Sequence, residues 1–183
     1  MMNTPHIITD EQLEKENVEI ARRYREMLQN TYITLSDEDK KLIRRAFDLA
    51  VDAHKDQRRK TGEPYIYHPI AVAKIVADEI GLGATSIAAA LMHDVVEDTD
   101  YTVEDIEKLF GAKIAKIIDG LTKISVLNRQ DLSIQSENYK KLLLTLSEDV
   151  RVILIKIADR LHNMRTLESM REDKQLKIAS ETV

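Results

Sequence analysis

The chain has 183 residues, a net charge of −5 and no cysteine. Its length suits one compact domain with a hydrophobic core, and the lack of cysteine excludes disulfides and thiolate metal sites, which leaves His, Asp and Glu as the strong metal ligands. The chain has only 5 Gly and 3 Pro, the residues that favour tight turns between strands, so we predict an all-α domain.

Composition also limits the location and partners of the protein. No apolar run approaches the roughly 18 residues that a membrane span needs, and Met1 to Asp10 lacks the basic and apolar regions of a signal peptide. We therefore expect a cytoplasmic protein without membrane contact. The negative net charge disfavours direct DNA binding, which depends on clustered Lys and Arg. One basic cluster stands out, Arg58-Arg59-Lys60, and Thr61-Gly62-Glu63-Pro64 follows it.

The first half of the chain shows apolar residues at helical spacing. Glu11 to Gln29 is typical of a charged amphipathic helix, and Ser36 is predicted to cap a second helix. After the basic loop, a third helix is predicted to have Pro69 at its first helical position and to end at Gly81. His68 would then lie just outside the entrance of this helix.

The segment Met92 to Thr99 carries the densest set of chemical groups. On a continuous helix, His93 would lie over Glu97 and Asp94 over Asp98, because residues four apart share a face. The preceding residues, Ile87 to Met92, are apolar or alanine, so we expect this helix to be buried at its start. Buried imidazoles and carboxylates need compensation, which a divalent cation supplies.

The next segments predict shorter elements. Two short helices, Thr102 to Phe110 and Ala112 to Asp119, are expected to end at the glycine that follows each of them. Lys123 to Gln135 is polar and lacks a clear period, so it is interpreted as a loop. Ser136 to Leu146 is predicted to be helical again.

A long helix is predicted over Val150 to Leu167, with almost no solvent face in its first half. Asp159, Asn163 and Thr166 form one polar stripe along it. A buried Asp without a partner costs several kcal/mol, so we expect this stripe to face a metal, a ligand or a polar network.

Two imidazoles and two carboxylates emerge as the candidate metal ligands, from His68, His93, Asp94 and Asp159. This nitrogen and oxygen set suits Mn²⁺, Fe²⁺ or Zn²⁺ better than Mg²⁺ or Ca²⁺. Four protein ligands leave open positions on an octahedral ion, where a water would become a nucleophile near a phosphoryl group. Glu97 or Asp98 could position that water or take its proton.

Four motifs together resemble a known family: His54 to Pro69, His93 to Thr99, Gly120-Leu121-Thr122-Lys123, and Ile157 to Leu167. They are similar, in this order, to the N-terminal (p)ppGpp hydrolase domain of the RelA/SpoT homologues, in the HD phosphohydrolase superfamily. The resemblance implies a compact helical HD domain, with the metal site between core helices, over residues 35–183 behind a helical extension at 1–34. It also implies that the chain is cut off before a synthetase domain and regulatory domains.

The resemblance further implies Mn²⁺ bound by the four candidate ligands, and Glu97 and Asp98 acting on the attacking water. It implies that Arg59 stacks on the guanine and that Lys60 and Thr61 hold the nucleotide. Asn163 and Thr166 would contact base or sugar. The implied reaction is hydrolysis of the 3′-pyrophosphate of ppGpp or pppGpp to GDP or GTP and pyrophosphate. Asp56 departs from the family, which usually has Gly there.

Two other functions are compatible with parts of this pattern. One is an HD-domain phosphohydrolase acting on another nucleotide, which should lack the Arg59 to Pro64 loop. The other is a non-catalytic nucleotide-binding regulatory module, which would tolerate loss of Glu97 or of a ligand. His54 and His162 are interpreted as structural more readily than as ligands. Tyr65 either stacks on substrate or anchors the loop.

Overall fold

The computed structural model describes residues 7–129 and 149–181, with the side chains of 126–129 and 169–181 outside the description. Within these residues the chain is helical and forms no strand, which confirms the all-α prediction. None of the described helices combines the length and the apolar character needed to cross a membrane. The elements are α1 (Asp10–Gln29), α2 (Asp37–Ala53), α3 (Tyr67–Lys74), the π-helix π1 (Ile75–Ile80), α4 (Ala84–Leu91), α5 (Val95–Asp98), α6 (Val103–Phe110), α7 (Ala112–Arg129) and α8 (Val150–Glu181).

The first two helices begin at side-chain caps. Thr9 accepts a hydrogen bond from the backbone of Gln12 at the start of α1. Ser36 and Asp39 form a reciprocal capping box at the start of α2, as the sequence predicts for Ser36. α1 packs against α3 and contributes Tyr24 and Met27 to the common core. The predicted N-terminal extension is therefore in contact with the rest of the fold.

The helix that carries His68 begins two residues earlier than predicted. α3 starts at Tyr67, so His68 and Pro69 lie in its first turn rather than at its entrance. Pro69 is tolerated there because the first-turn N–H groups have no partner within the helix. α3 continues directly into π1. This helical segment ends, as predicted, at Gly81, which takes a left-handed φ of 80°.

The predicted continuous helix around His93 is broken. α4 ends at Leu91 and α5 begins at Val95, so His93 and Asp94 lie in the turn between them. The imidazole Nδ1 of His93 is 2.7 Å from the carbonyl oxygen of Ala90, a residue in the last turn of α4. The apolar residues before the turn are fully buried, as predicted.

The prediction for α7 is wrong at its C-terminal end. The helix does not stop at Gly120 but continues to Arg129, through part of the predicted loop. Leu121 and Ile124 extend its apolar face and are buried, which favours continuation of the helix over a break at one glycine. Residues 130–135 of that loop, and the helix predicted over Ser136 to Leu146, lie outside the described residues.

α8 confirms the predicted helix but not its predicted burial. Val152, Ile155 and Ala158 are buried, whereas the side chains of Ile157 and Met164 are 53% and 61% exposed. The first half therefore has a solvent face, because α8 meets α3, α4 and α7 along one side only. That side places the Asp159 carboxylate at the edge of the core.

Candidate active site

Three separate parts of the chain bring the four predicted ligands together. His68 comes from α3, His93 and Asp94 from the turn after α4, and Asp159 from α8. His68 Nε2 is 2.7 Å from Asp159 Oδ1, and His93 Nε2 is 2.8 Å from Asp94 Oδ2 and 3.4 Å from Asp159 Oδ1. His68, His93 and Asp94 each offer a ligand atom within 4.8 Å of the others.

The charges of this cluster are tightly coupled. Burial alone would lower the pKa of His93, but the carboxylate charges of Asp94 and Asp159 outweigh burial and raise that pKa well above its usual range. Burial opposes ionisation of both carboxylates, yet the neighbouring histidines hold the pKa of Asp94 and of Asp159 below the usual range. The cluster is thus built around two ionised carboxylates that require positive charge beside them.

The surroundings of His93 fit a divalent cation. Its Nδ1 lies at hydrogen-bond distance from a carbonyl oxygen, which only accepts, so Nδ1 carries the hydrogen and Nε2 of the neutral ring presents a lone pair. Nε2 is buried and has no aligned hydrogen-bond partner among the described residues, although Asp94 Oδ2 is 2.8 Å away. A lone pair facing carboxylate oxygens needs a proton or a metal ion near it, so these residues fit a metal ion.

A further set of side chains supports the candidate ligands. The Tyr65 hydroxyl donates to Asp94 Oδ2, and Lys156 Nζ donates to Asp159 Oδ2 at 3.0 Å. His162 Nδ1 is 2.7 Å from His68 Nδ1. The sequence analysis missed Lys156, although it precedes Asp159 by three residues and so lies on the same face of the helix.

A polar cleft of about 290 Å³ opens beside the cluster. Its lining combines acidic residues next to the candidate ligands with basic and polar residues further along: Arg59, Tyr65, His68, Asp94, Glu97, Asp98, Ser125, Lys156, Asp159, Arg160 and Asn163. Glu97 and Asp98, from α5, therefore line the same cleft as three of the candidate ligands, although the continuous helix on which their predicted position depended is broken. Ser125, Lys156 and Arg160 were not predicted, and they add cations and a hydroxyl to the cleft.

The three basic side chains of the loop have different surroundings. Arg58 points away from the cleft and forms an ion pair with Glu16 of α1, with an N–O distance of 2.7 Å. Arg59 donates to Asn163 Oδ1 at 3.0 Å across the cleft. Lys60 is exposed, as is Thr61.

The loop turns back at Gly62, whose φ is 88°. No described residue other than glycine has a positive φ, so Asp56 fits the loop without left-handed strain. The hydroxyl of Thr166 donates to the carbonyl of His162 at 2.8 Å. Among the described residues, Lys60, Thr61 and Thr166 are not part of the cleft lining.

His54 lies behind the site. It is buried, its Nδ1 is 2.8 Å from Gln57 Oε1, and burial lowers its pKa. Gln57 in turn donates to the backbone carbonyl of Asp98 at 2.8 Å, so this pair links the end of α2 to α5. The ring of Tyr65 packs on His54, with 4.7 Å between ring centroids, while its hydroxyl reaches Asp94.

Comparison with known proteins agrees with this geometry. The HD domain family matches residues 46–183 of the chain. The chain belongs to this family. A solved structure, described as a metazoan orthologue of SpoT that hydrolyses ppGpp, is 32% identical, with a TM-score of 0.57, over 75% of this chain and 74% of that one.

Curated relatives place this HD domain among the RelA/SpoT homologues, which confirms the resemblance. The chain is 46% identical over 165 residues to the GTP pyrophosphokinase rsh of Brucella melitensis, covering 90% of this chain and 22% of that protein. It is 48% identical over 150 residues to the bifunctional (p)ppGpp synthase/hydrolase SpoT of Escherichia coli K12, covering 81% and 21%.

A third relative is named for hydrolysis alone. The chain is 51% identical over 142 residues to a probable guanosine-3′,5′-bis(diphosphate) 3′-pyrophosphohydrolase of Synechocystis, covering 77% of this chain and 19% of that protein. The chain thus spans about a fifth of the length of these curated relatives.

Proposed function

We propose that the chain is a metal-dependent hydrolase domain that removes the 3′-pyrophosphate of (p)ppGpp and so ends or tunes the stringent response. The observation that carries this proposal is the convergence of His68, His93, Asp94 and Asp159 at one end of a cleft whose other wall carries Arg59. Relatives whose names include (p)ppGpp hydrolysis share about half of their aligned residues with this chain.

The four converging side chains are proposed to bind Mn²⁺, because imidazole nitrogen and carboxylate oxygen together suit this ion. When bound, the ion would supply Lewis acidity toward the phosphoryl oxygens and lower the pKa of the attacking water. Lys156, which donates to Asp159, would hold the outer oxygen of that carboxylate and direct the other toward the cluster. Tyr65 donates to Asp94 Oδ2, the oxygen that faces His93, and would fix the position of that oxygen in the cluster.

Glu97 and Asp98 are proposed to act on the attacking water. Both carboxylates line the cleft, one turn of chain away from Asp94. The water oxygen attacks the phosphorus attached to the ribose 3′ oxygen, the bond from phosphorus to that oxygen breaks, and the water proton passes to a carboxylate. A proton then reaches the 3′ oxygen, which leaves GDP or GTP and pyrophosphate as products.

The nucleotide is proposed to lie along the wall that carries Arg59. A planar guanidinium suits stacking on guanine, and Asn163 holds Arg59 in the cleft by a hydrogen bond. Lys60 and Thr61, which follow Arg59 and are exposed, would reach phosphate or sugar. Thr166, whose hydroxyl oxygen can still accept a hydrogen bond, is proposed to contact base or sugar with Asn163.

We also propose the domain boundary, the neighbouring domains and the location of the protein. We place the division between an N-terminal extension and the HD domain at residues 34 and 35. Synthetase and regulatory domains would follow in the full protein, in agreement with the longer relatives. We expect a cytoplasmic location and no direct binding to DNA.

The test is release of pyrophosphate and GDP from ppGpp, measured with and without Mn²⁺, for wild type and for Glu97→Gln. The proposal expects rapid release only from wild type with the metal ion. A wild type as inert as the variant would favour the non-catalytic module. Faster cleavage of another nucleotide than of ppGpp, measured with a panel of nucleotides, would favour a different HD phosphohydrolase.

A further inference from the structure

His162 lies directly behind one of the candidate ligands. Its Nδ1 is 2.7 Å from Nδ1 of His68, and the two ring centroids are 5.0 Å apart. It is half-buried on α8, three residues after Asp159, so the helix that delivers one candidate ligand also reaches the rear of another. The reaction proposed above assigns His162 no task.

Two ring nitrogens at this distance need one hydrogen between them, and its position decides what His68 can do. If Nδ1 of His68 carries the hydrogen, Nε2 presents its lone pair toward the cluster, where Asp159 Oδ1 is 2.7 Å away. If His162 donates instead, Nε2 of His68 carries the hydrogen and donates to Asp159. Only the first arrangement leaves Nε2 of His68 able to bind a cation.

The contacts of His162 favour the first arrangement. Arg59 Nη1 lies 3.4 Å from the same Nδ1 of His162. A guanidinium only donates and is always charged, so it disfavours a hydrogen on that nitrogen. Because Nδ1 of His162 then accepts a hydrogen bond, the ring hydrogen of His162 lies on its Nε2.

The two candidate imidazole ligands therefore have different supports. His93 is held by a backbone carbonyl, which can only accept, whereas His68 is held by a side chain that can exchange roles. We propose that His162 is a positioning residue that keeps the hydrogen of His68 on Nδ1 and its Nε2 lone pair available to the metal ion. This inference rests on the proposed metal site.

Metal affinity tests the inference directly. Mn²⁺ binding by calorimetry at fixed pH should be about 10- to 100-fold weaker in His162→Phe than in wild type, since loss of an outer partner of a ligand has this effect. His162→Asn offers a carbonyl acceptor at the same place and should recover most of the affinity. Met164→Ala, an exposed change on the same helix, is the matched control and should bind as wild type does.

Nitrogen-15 spectra of the histidines provide a readout independent of stability and activity. In wild type loaded with Zn²⁺, used because it is diamagnetic, His68 should carry its hydrogen on Nδ1 and His162 on Nε2. A hydrogen on Nε2 of His68, or equal Mn²⁺ affinity in wild type, His162→Phe and His162→Asn, would overturn the role of His162. A wild type that binds neither ion would instead remove the proposed metal site itself.

Discussion

The two walls of the cleft differ in how the fold holds them. His68, His93 and Asp159 are 3%, 5% and 6% exposed and come from α3, the turn after α4, and α8, which pack in one core. The basic loop is attached through Arg58 and Glu16 and through backbone hydrogen bonds, and its Lys60 and Thr61 are exposed. The proposed chemistry, which needs fixed groups, thus lies on the core side, and the proposed nucleotide recognition lies on a loop. Substitutions on the two walls should therefore have separable effects.

The largest effect is expected on the core wall. Asp159→Asn preserves shape but removes a charge that two histidines and Lys156 face. Hydrolysis of ppGpp should fall by more than about 10⁴-fold, because both metal binding and water activation are lost. Calorimetry should show Mn²⁺ binding weakened by more than about 100-fold. Asp119→Asn, on the partly exposed Asp119 that pairs with Lys123, is the control and should match wild type.

Glu97→Gln and Asp98→Asn should separate catalysis from metal binding on the same wall. Each should lower kcat by about 10²- to 10⁴-fold, the usual contribution of a general base. Mn²⁺ affinity should stay near that of wild type, because neither side chain is a candidate ligand. Glu107→Gln, an exposed change on α6, provides the control. A loss of Mn²⁺ binding in either active-site variant would place that residue among the ligands instead.

Metal binding on the core wall should depend on pH. The raised pKa of His93 means that, without a metal ion, this ring keeps its proton near neutral pH. The ion must displace that proton, so its affinity should rise with pH between 6 and 8, by up to about tenfold per pH unit. Calorimetry in buffers of different ionisation enthalpy should detect proton release. Constant affinity over this interval, without release, would contradict the assigned charge of His93.

The smallest effect is expected on the loop wall. Arg59→Ala should raise KM for ppGpp by about tenfold, the size of a cation–π contact, and change kcat little. Mn²⁺ affinity should fall far less than in Asp159→Asn, because Arg59 acts on the candidate ligands only through His162. Arg25→Ala, an exposed change on α1, should leave KM as in wild type. A fall in kcat at constant KM would mean that Arg59 acts on the transition state and not on binding.

The two walls also differ in how well the sequence predicts them. The candidate ligands on the core wall could be proposed from the sequence because polar groups such as Asp159 interrupt apolar helical patterns. The break between α4 and α5 could not, because residues on both sides are helical and the hydrogen bond from His93 to Ala90 depends on the turn itself. Lys156 was missed because a lysine in a helix is usually exposed, and only the packing of α8 places it beside Asp159.

Burial was harder to predict than the existence of the helices. Apolar residues lie around most of α8, so their period does not determine which face is buried. The face that carries Val152 and Ile155 is buried because α8 packs against α3, α4 and α7. In α7, Gly120 suggests an end, but the buried contacts of Leu121 and Ile124 extend the helix. In both places tertiary packing decides what local patterns leave open.

Anomalous diffraction from crystals grown with Mn²⁺, collected on both sides of the manganese absorption edge, would locate the ion. We expect one strong peak bounded by His68 Nε2, His93 Nε2 and carboxylate oxygens of Asp94 and Asp159, each at about 2 Å. A fully occupied peak elsewhere, or the absence of any peak at saturating Mn²⁺, would contradict this expectation.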